Sequence, residues 1–166
     1  GAEFCADLPT LLARSDYVVL AMPATPATDK LMGAEQFRCM KKDAILVNIG
    51  RGNCVDHEAL ARALADDELA RAALDVTEPE PLPRDHPLVL TAGTPLEGRV
   101  LITPHQGSAT EETRMQMLRM SFDNLLAGLQ PGVRLPWLAP ESAAAGLFPE
   151  GCEVGATLFS GLPANP

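Results

Sequence analysis

Apolar residues in this chain fall into short runs, separated by Gly, Pro and charged clusters, and the runs alternate between two periods. Leu8–Arg14 reads as a short helix that stops at Ser15-Asp16. Residues 17–22 form an apolar run that Pro23 and Pro26 close, as expected of a strand. Residues 34–40 read as a helix and residues 44–49 as a strand. Asp56 is placed to cap a helix over His57–Ala65, with Leu60 and Leu64 on its inner face. Residues 71–76 and 100–103 read as two further strands. Neither alternates strictly, which fits a sheet covered on both faces. Residues 2–5 are a candidate short strand. Helix and strand periods taking turns predict an α/β fold with a parallel sheet.

The clearest helix follows Gly107. Ser108-Ala109-Thr110-Glu111 matches a capping box, with Ser108 as the cap. Met115, Leu118, Phe122, Leu125 and Leu129 then recur at steps of three and four, the pattern of a buried stripe. From Pro131 the pattern ends. Residues 131–166 hold six prolines and five glycines with no helical or strand period, and are expected to be disordered. Two regions result: residues 1–130, an α/β portion with its long connecting helix, and the tail 131–166.

Three strand ends carry candidate chemistry. Asn48-Ile49-Gly50-Arg51-Gly52 places an arginine between two glycines where a strand stops, and open α/β sheets hold ligands at that end. Glycine lets the backbone turn and approach a ligand, and arginine offers a planar fork suited to a carboxylate. Leu74-Asp75-Val76-Thr77-Glu78-Pro79-Glu80-Pro81 and Ile102-Thr103-Pro104-His105-Gln106-Gly107-Ser108 put carboxylates and an imidazole just past two more strands. Arginine, carboxylate and histidine together can hold a keto acid and protonate its carbonyl.

Composition narrows the partners. The 166 residues carry a formal net charge of −9, against the basic surfaces that nucleic acid and anionic lipid require. An acidic chain can still bind an anionic substrate through one local arginine. No run approaches the length of a membrane span. Cys5, Cys39, Cys54 and Cys152 are scattered with no Cys-x-x-Cys pair, so reduced thiols in a cytoplasmic setting fit better than disulfides or zinc. His57 and His86 read as ordinary helix-start and loop residues, and three isolated histidines predict no metal site.

The three motifs, in this order, resemble the D-isomer-specific 2-hydroxyacid dehydrogenases, from about Leu8 to Gly128. Within that family, Thr25-Pro26-Ala27-Thr28, Pro79-Glu80-Pro81-Leu82-Pro83, His86-Pro87-Leu88, Gly107-Ser108-Ala109-Thr110 and Asn124-Leu125-Leu126-Ala127-Gly128 are most similar to the glyoxylate/hydroxypyruvate reductases. The resemblance implies reduction of a small 2-keto acid to a D-2-hydroxy acid with NADP or NAD as cofactor. It implies Arg51 as the carboxylate anchor, His105 as the acid/base and Glu80 as its partner, with Glu78 the rival carboxylate. A glutamate at position 80 also argues against formate dehydrogenases, which resemble the family but carry glutamine there. Pro23, Ile49, Gly50 and Asp75 would border the cofactor, and Gly107 and Ser108 the substrate. Family members are generally homodimers.

A Gly-x-Gly-x-x-Gly phosphate loop is absent from the sequence. The expectation is therefore a partial Rossmann-type, doubly wound parallel sheet lacking its first βαβ unit, belonging to a longer enzyme. Strand 17–22 would then present an open apolar edge. Two other outcomes are compatible with the motifs: a non-catalytic NAD-binding corepressor of the same fold, and an inactive truncated product. Residues 91–99 look like an insertion, longer than the family's usual connection.

Overall fold

The computed structural model describes residues 1–129. Its elements run α1 (Leu8–Arg14), β1 (Tyr17–Leu20), α2 (Ala34–Cys39), β2 (Ile45–Asn48), a 3-10 turn (Gly52–Cys54), α3 (His57–Ala65), β3 (Arg71–Leu74), β4 (Val100–Ile102) and α4 (Glu111–Gly128). The four strands form one parallel sheet in the order β1-β2-β3-β4. The expected α/β parallel architecture is thus present. The proline- and glycine-rich stretch 131–166 lies outside the described residues.

Local capping explains the helices. Asp7 accepts from Thr10 N–H at 2.8 Å and starts α1, with Pro9 in its first turn. Asp56 accepts from Ala59 N–H at 2.9 Å and starts α3, as the sequence predicts. For α4 the cap is Thr110, which accepts from Thr113 N–H, and not Ser108. Either hydroxyl suits an N-cap; the chain leaves the extended conformation only after Thr110.

Burial in β1, β2 and β3 alternates strictly enough to define two faces. Val18, Leu20, Leu46, Ala72 and Leu74 pack against Leu12 of α1, Phe37 of α2, and Leu60 and Leu64 of α3. The register aligns Val19, Val47, Ala73 and Leu101 across all four strands on the opposite face. That row is apolar, yet Val19 and Leu101 are exposed. Two-sided apolarity in the sequence therefore coexists with one covered face among the described residues. Among the described residues β1 lies at one end of the sheet, with Tyr17 exposed on it.

Residues 2–5 make no strand, and Phe4 is exposed. A strand needs a neighbour to satisfy its backbone, and none of the described strands pairs there. Residues 91–99 form successive turns tied to the sheet. Leu96 is buried in the core, and the Arg99 guanidinium donates to Ala70 O, Leu69 O and the Asp67 carboxylate.

Gly1–Gly107 forms one compact unit, and Ser108 begins a second. In the second, the expected core stripe of α4 is not core: Met115, Leu118, Phe122, Leu125 and Leu129 are exposed, and Ala127 is the buried residue of the helix. Periodicity identifies a stripe but does not supply the surface that covers it.

Candidate active site at the strand ends

The Arg51 turn is shaped by a buried amide. Asn48 ends β2 fully buried. Its Oδ1 accepts from Gly50 N–H at 3.0 Å and its Nδ2 donates to Arg51 O at 2.9 Å. The turn cannot then drift, because its polar backbone is held from both sides. The flanking glycines answer to neighbouring backbone. A Cβ on Gly50 would lie 2.7 Å from Met22 O, and one on Gly52 would overlap the Thr77 carbonyl. The Arg51 side chain itself is exposed, with Nη1 donating to Gly50 O at 2.8 Å.

The histidine turn is built on carboxylates. Asp75, just past β3, accepts from Thr103 Oγ1, from Gln106 N–H at 2.9 Å and from Gly107 N–H at 2.8 Å. Those bonds, the Thr103 hydroxyl first, hold its pKa below the usual carboxylate range. His105 sits between these anchors at φ 49°, a left-handed conformation that side chains disfavour. Its N–H donates to Asp75 O at 2.9 Å, so the clamp offsets that strain.

Glu80 meets the imidazole directly: its Oε2 lies 3.0 Å from His105 Nδ1. Its other oxygen accepts from Thr77 N–H at 3.0 Å, and Thr77 Oγ1 donates to Pro79 O. The His105 hydrogen bond is the main cause of a lowered Glu80 pKa, and the positive charge of Arg51 adds to it. Glu78 takes no part in this pair. A cavity of about 660 Å³ opens beside it, lined by Asp75, Glu80, Leu88, Val89, Ile102 and His105 among others.

The structure thus brings Glu80, His105 and Asp75 to one cavity. Arg51, Pro23, Ile49, Gly50 and Gly107 do not line it. Arg51 reaches it through its charge on Glu80. Ile49 and Pro23 are exposed where β2 and β1 end. Ser108 begins the second unit. Three positions carry the geometry without having stood out in the sequence: Asn48, Thr77 and Thr103. A polar residue closing an apolar strand, as at Asn48, is the signal that could have found the first.

Residues 1–107 match the family described as "D-isomer specific 2-hydroxyacid dehydrogenase, NAD binding domain". This chain belongs to that family. The match ends where the first compact unit ends. As a 2-hydroxyacid dehydrogenase domain, the chain is 46% identical over 143 residues to glyoxylate/hydroxypyruvate reductase B of Escherichia fergusonii, covering 86% of this chain and 42% of that protein. Among solved structures, it is similar to the NADPH-dependent glyoxylate/hydroxypyruvate reductase of Sinorhizobium meliloti in complex with NADP and malonate. That likeness has a TM-score of 0.71 at 31% identity, over 81% of this chain and 40% of the other. A glyoxylate reductase from Paecilomyes thermophila gives 0.71 and 31%, over 82% and 39%. The chain therefore spans about two fifths of the relatives it matches. Among the described residues, no helix is long and apolar enough to cross a membrane.

Proposed function

We propose that this chain supplies the substrate-anchoring and proton-transferring side of a reductase acting on glyoxylate or hydroxypyruvate. The observation that carries the reading is the His105–Glu80 pair, 3.0 Å apart and opening on a cavity at the strand ends. A carboxylate on one ring nitrogen orients an imidazole and leaves the other for a substrate oxygen. In reduction, His105 gives a proton to the carbonyl oxygen; in the reverse direction it takes one. Arg51 receives the substrate carboxylate on its exposed fork, fixing the carbonyl carbon for attack. Gly107 borders the same substrate.

The nicotinamide end of NADP or NAD fits the residues present. Pro23 and Ile49 offer exposed apolar surface at adjacent strand ends. Asp75 keeps one carboxylate lone-pair site beyond its three hydrogen bonds. Bound there, the cofactor supplies the hydride. The relative solved in complex with NADP and malonate supports a protein that takes both this cofactor and a carboxylate anion. We place the whole enzyme in the cytoplasm as a homodimer. Because the sequence holds no Gly-x-Gly-x-x-Gly loop, the 166-residue chain alone should bind NADPH weakly or not at all and should not turn over glyoxylate.

A chimera tests the reading. Residues 1–129 replace the matching segment of the Escherichia fergusonii reductase, and NADPH oxidation with glyoxylate is followed. Turnover is expected, falling about 10²–10⁴-fold in His105→Ala. A folded chimera that binds NADPH without oxidising it, or a His105→Ala variant with full turnover, would sink the proposal.

A further inference from the structure

A second histidine cluster lies apart from the His105–Glu80 pair. His57, at the first position of α3, is 6% exposed, and its Nε2 has no hydrogen-bond partner among the described residues. The ring of His86 stands edge-on to it, with centroids 6.4 Å apart. His86 is itself held at both nitrogens. Its Nδ1 accepts from Leu88 N–H at 3.1 Å, and its Nε2 lies 3.4 Å from Glu58 Oε1. An acceptor at Nδ1 requires that nitrogen to be unprotonated, so the proton sits on Nε2, facing the glutamate.

We infer that His57 and His86 form an acid-sensitive latch on the wall of the candidate active-site cavity. Leu88 is buried in the core, and both Leu88 and Val89 line the cavity that holds Glu80 and His105. The unprotonated His86 Nδ1 pins the Leu88 backbone. Once His86 takes a second proton, Nδ1 becomes a donor facing another donor, and the pin is lost. The charge also arrives beside a buried ring at the start of a helix, where positive charge is disfavoured.

Other groups around the pair set its balance. Asp56 and Glu58 on α3, Glu78 on the turn before Glu80, and Asp29 and Lys30 on the loop after β1 line the same small pocket. The carboxylates favour a charged ring, and Lys30 opposes it. Burial, followed by the nearby His86, lowers the His57 pKa, while Asp56 and Glu58 act against that. A histidine with a lowered folded pKa contributes stability that is complete above its ordinary value near about 6.5 and is lost as pH falls below it.

Amide hydrogen exchange on the 166-residue chain between pH 7.5 and 5.0 tests the latch. The protection factor of Leu88, normalised for intrinsic exchange, should fall about two- to tenfold across that range, the equilibrium effect of one lost hydrogen bond. In His86→Asn the side-chain carbonyl can accept from the same amide without titrating, so protection should stay level. Level protection in the wild type, or an equal fall in His86→Asn, would overturn the latch. Should His86→Asn fail to fold, carbon shifts of the wild-type ring decide. The latch requires the Nε2–H tautomer at pH 7.5, and the Nδ1–H tautomer would exclude it.

Discussion

The Arg51 turn and the His105 turn do comparable work at neighbouring strand ends, yet they are held by opposite means. Neutral, buried contacts hold the first: the Asn48 amide on two backbone groups, and Gly52 pressed on Thr77. Ionised carboxylates at the surface hold the second: Asp75 on Thr103, Gln106 and Gly107, and Glu80 on the imidazole. The contrast shows how one sheet can carry a fixed element and a tunable one. Steric and neutral contacts do not respond to pH, whereas carboxylate clamps do.

The largest effect should come from Gly52→Ala. Its new methyl would overlap backbone, which cannot rotate away as a side chain could. A loss of about 3 kcal/mol or more is expected in urea unfolding. A variant within about 1 kcal/mol of wild type would mean that the Arg51 turn is not sterically locked.

Asn48→Leu should come next. It strands Gly50 N–H, worth about 1–3 kcal/mol if left unpaired in the interior, and takes one of two donors from Arg51 O, which keeps Cys54 N–H. The loss should be the same at pH 8 and pH 5, since no titrating group is removed. A strongly pH-dependent loss would break the contrast drawn here.

Asp75→Asn should cost less, about 1–2 kcal/mol at neutral pH, because its charge-assisted bonds lie partly exposed. Here pH must matter. The folded pKa values of Asp75 and Glu80 are both lowered, so their stabilisation is present above the unfolded carboxylate range. It is lost as pH falls through the folded values. Wild type should therefore show an acid limb in its melting temperature below about pH 4, and Asp75→Asn should flatten it. An unchanged limb would show that this clamp is not electrostatic.

Arg51→Ala should have the smallest effect on stability, within about 0.5 kcal/mol, since its side chain is exposed and, among the described residues, hydrogen-bonds to the adjacent Gly50 carbonyl. In the chimera the same change should raise the apparent KM for glyoxylate and lower kcat. A stable variant with unchanged kinetics would leave Arg51 as a surface residue.

Much of this was legible in the chain itself. Local signals fixed the helices: Asp56 before His57–Ala65 caps as its side chain dictates. The alternation of periods determined the parallel sheet. Its motifs put Glu80 and His105 just past strand ends, where the structure brings them together, since the order of residue types along strand ends is a one-dimensional property.

Tertiary structure decided what depends on a second surface. Apolar residues mark a face without naming its cover, so the α4 stripe read as core is exposed, and the Val19–Leu101 row lies open at both ends. Hydrogen bonds between strand ends are likewise invisible in one dimension. Asn48 became a clamp only once Gly50 and Arg51 folded back over it. His57 and His86, unremarkable in sequence and far apart along it, became a pair only when the loop after β3 packed on the start of α3. Burial then changed the chemistry of His57, because an imidazole removed from water no longer takes up a proton on the terms that its sequence neighbours set.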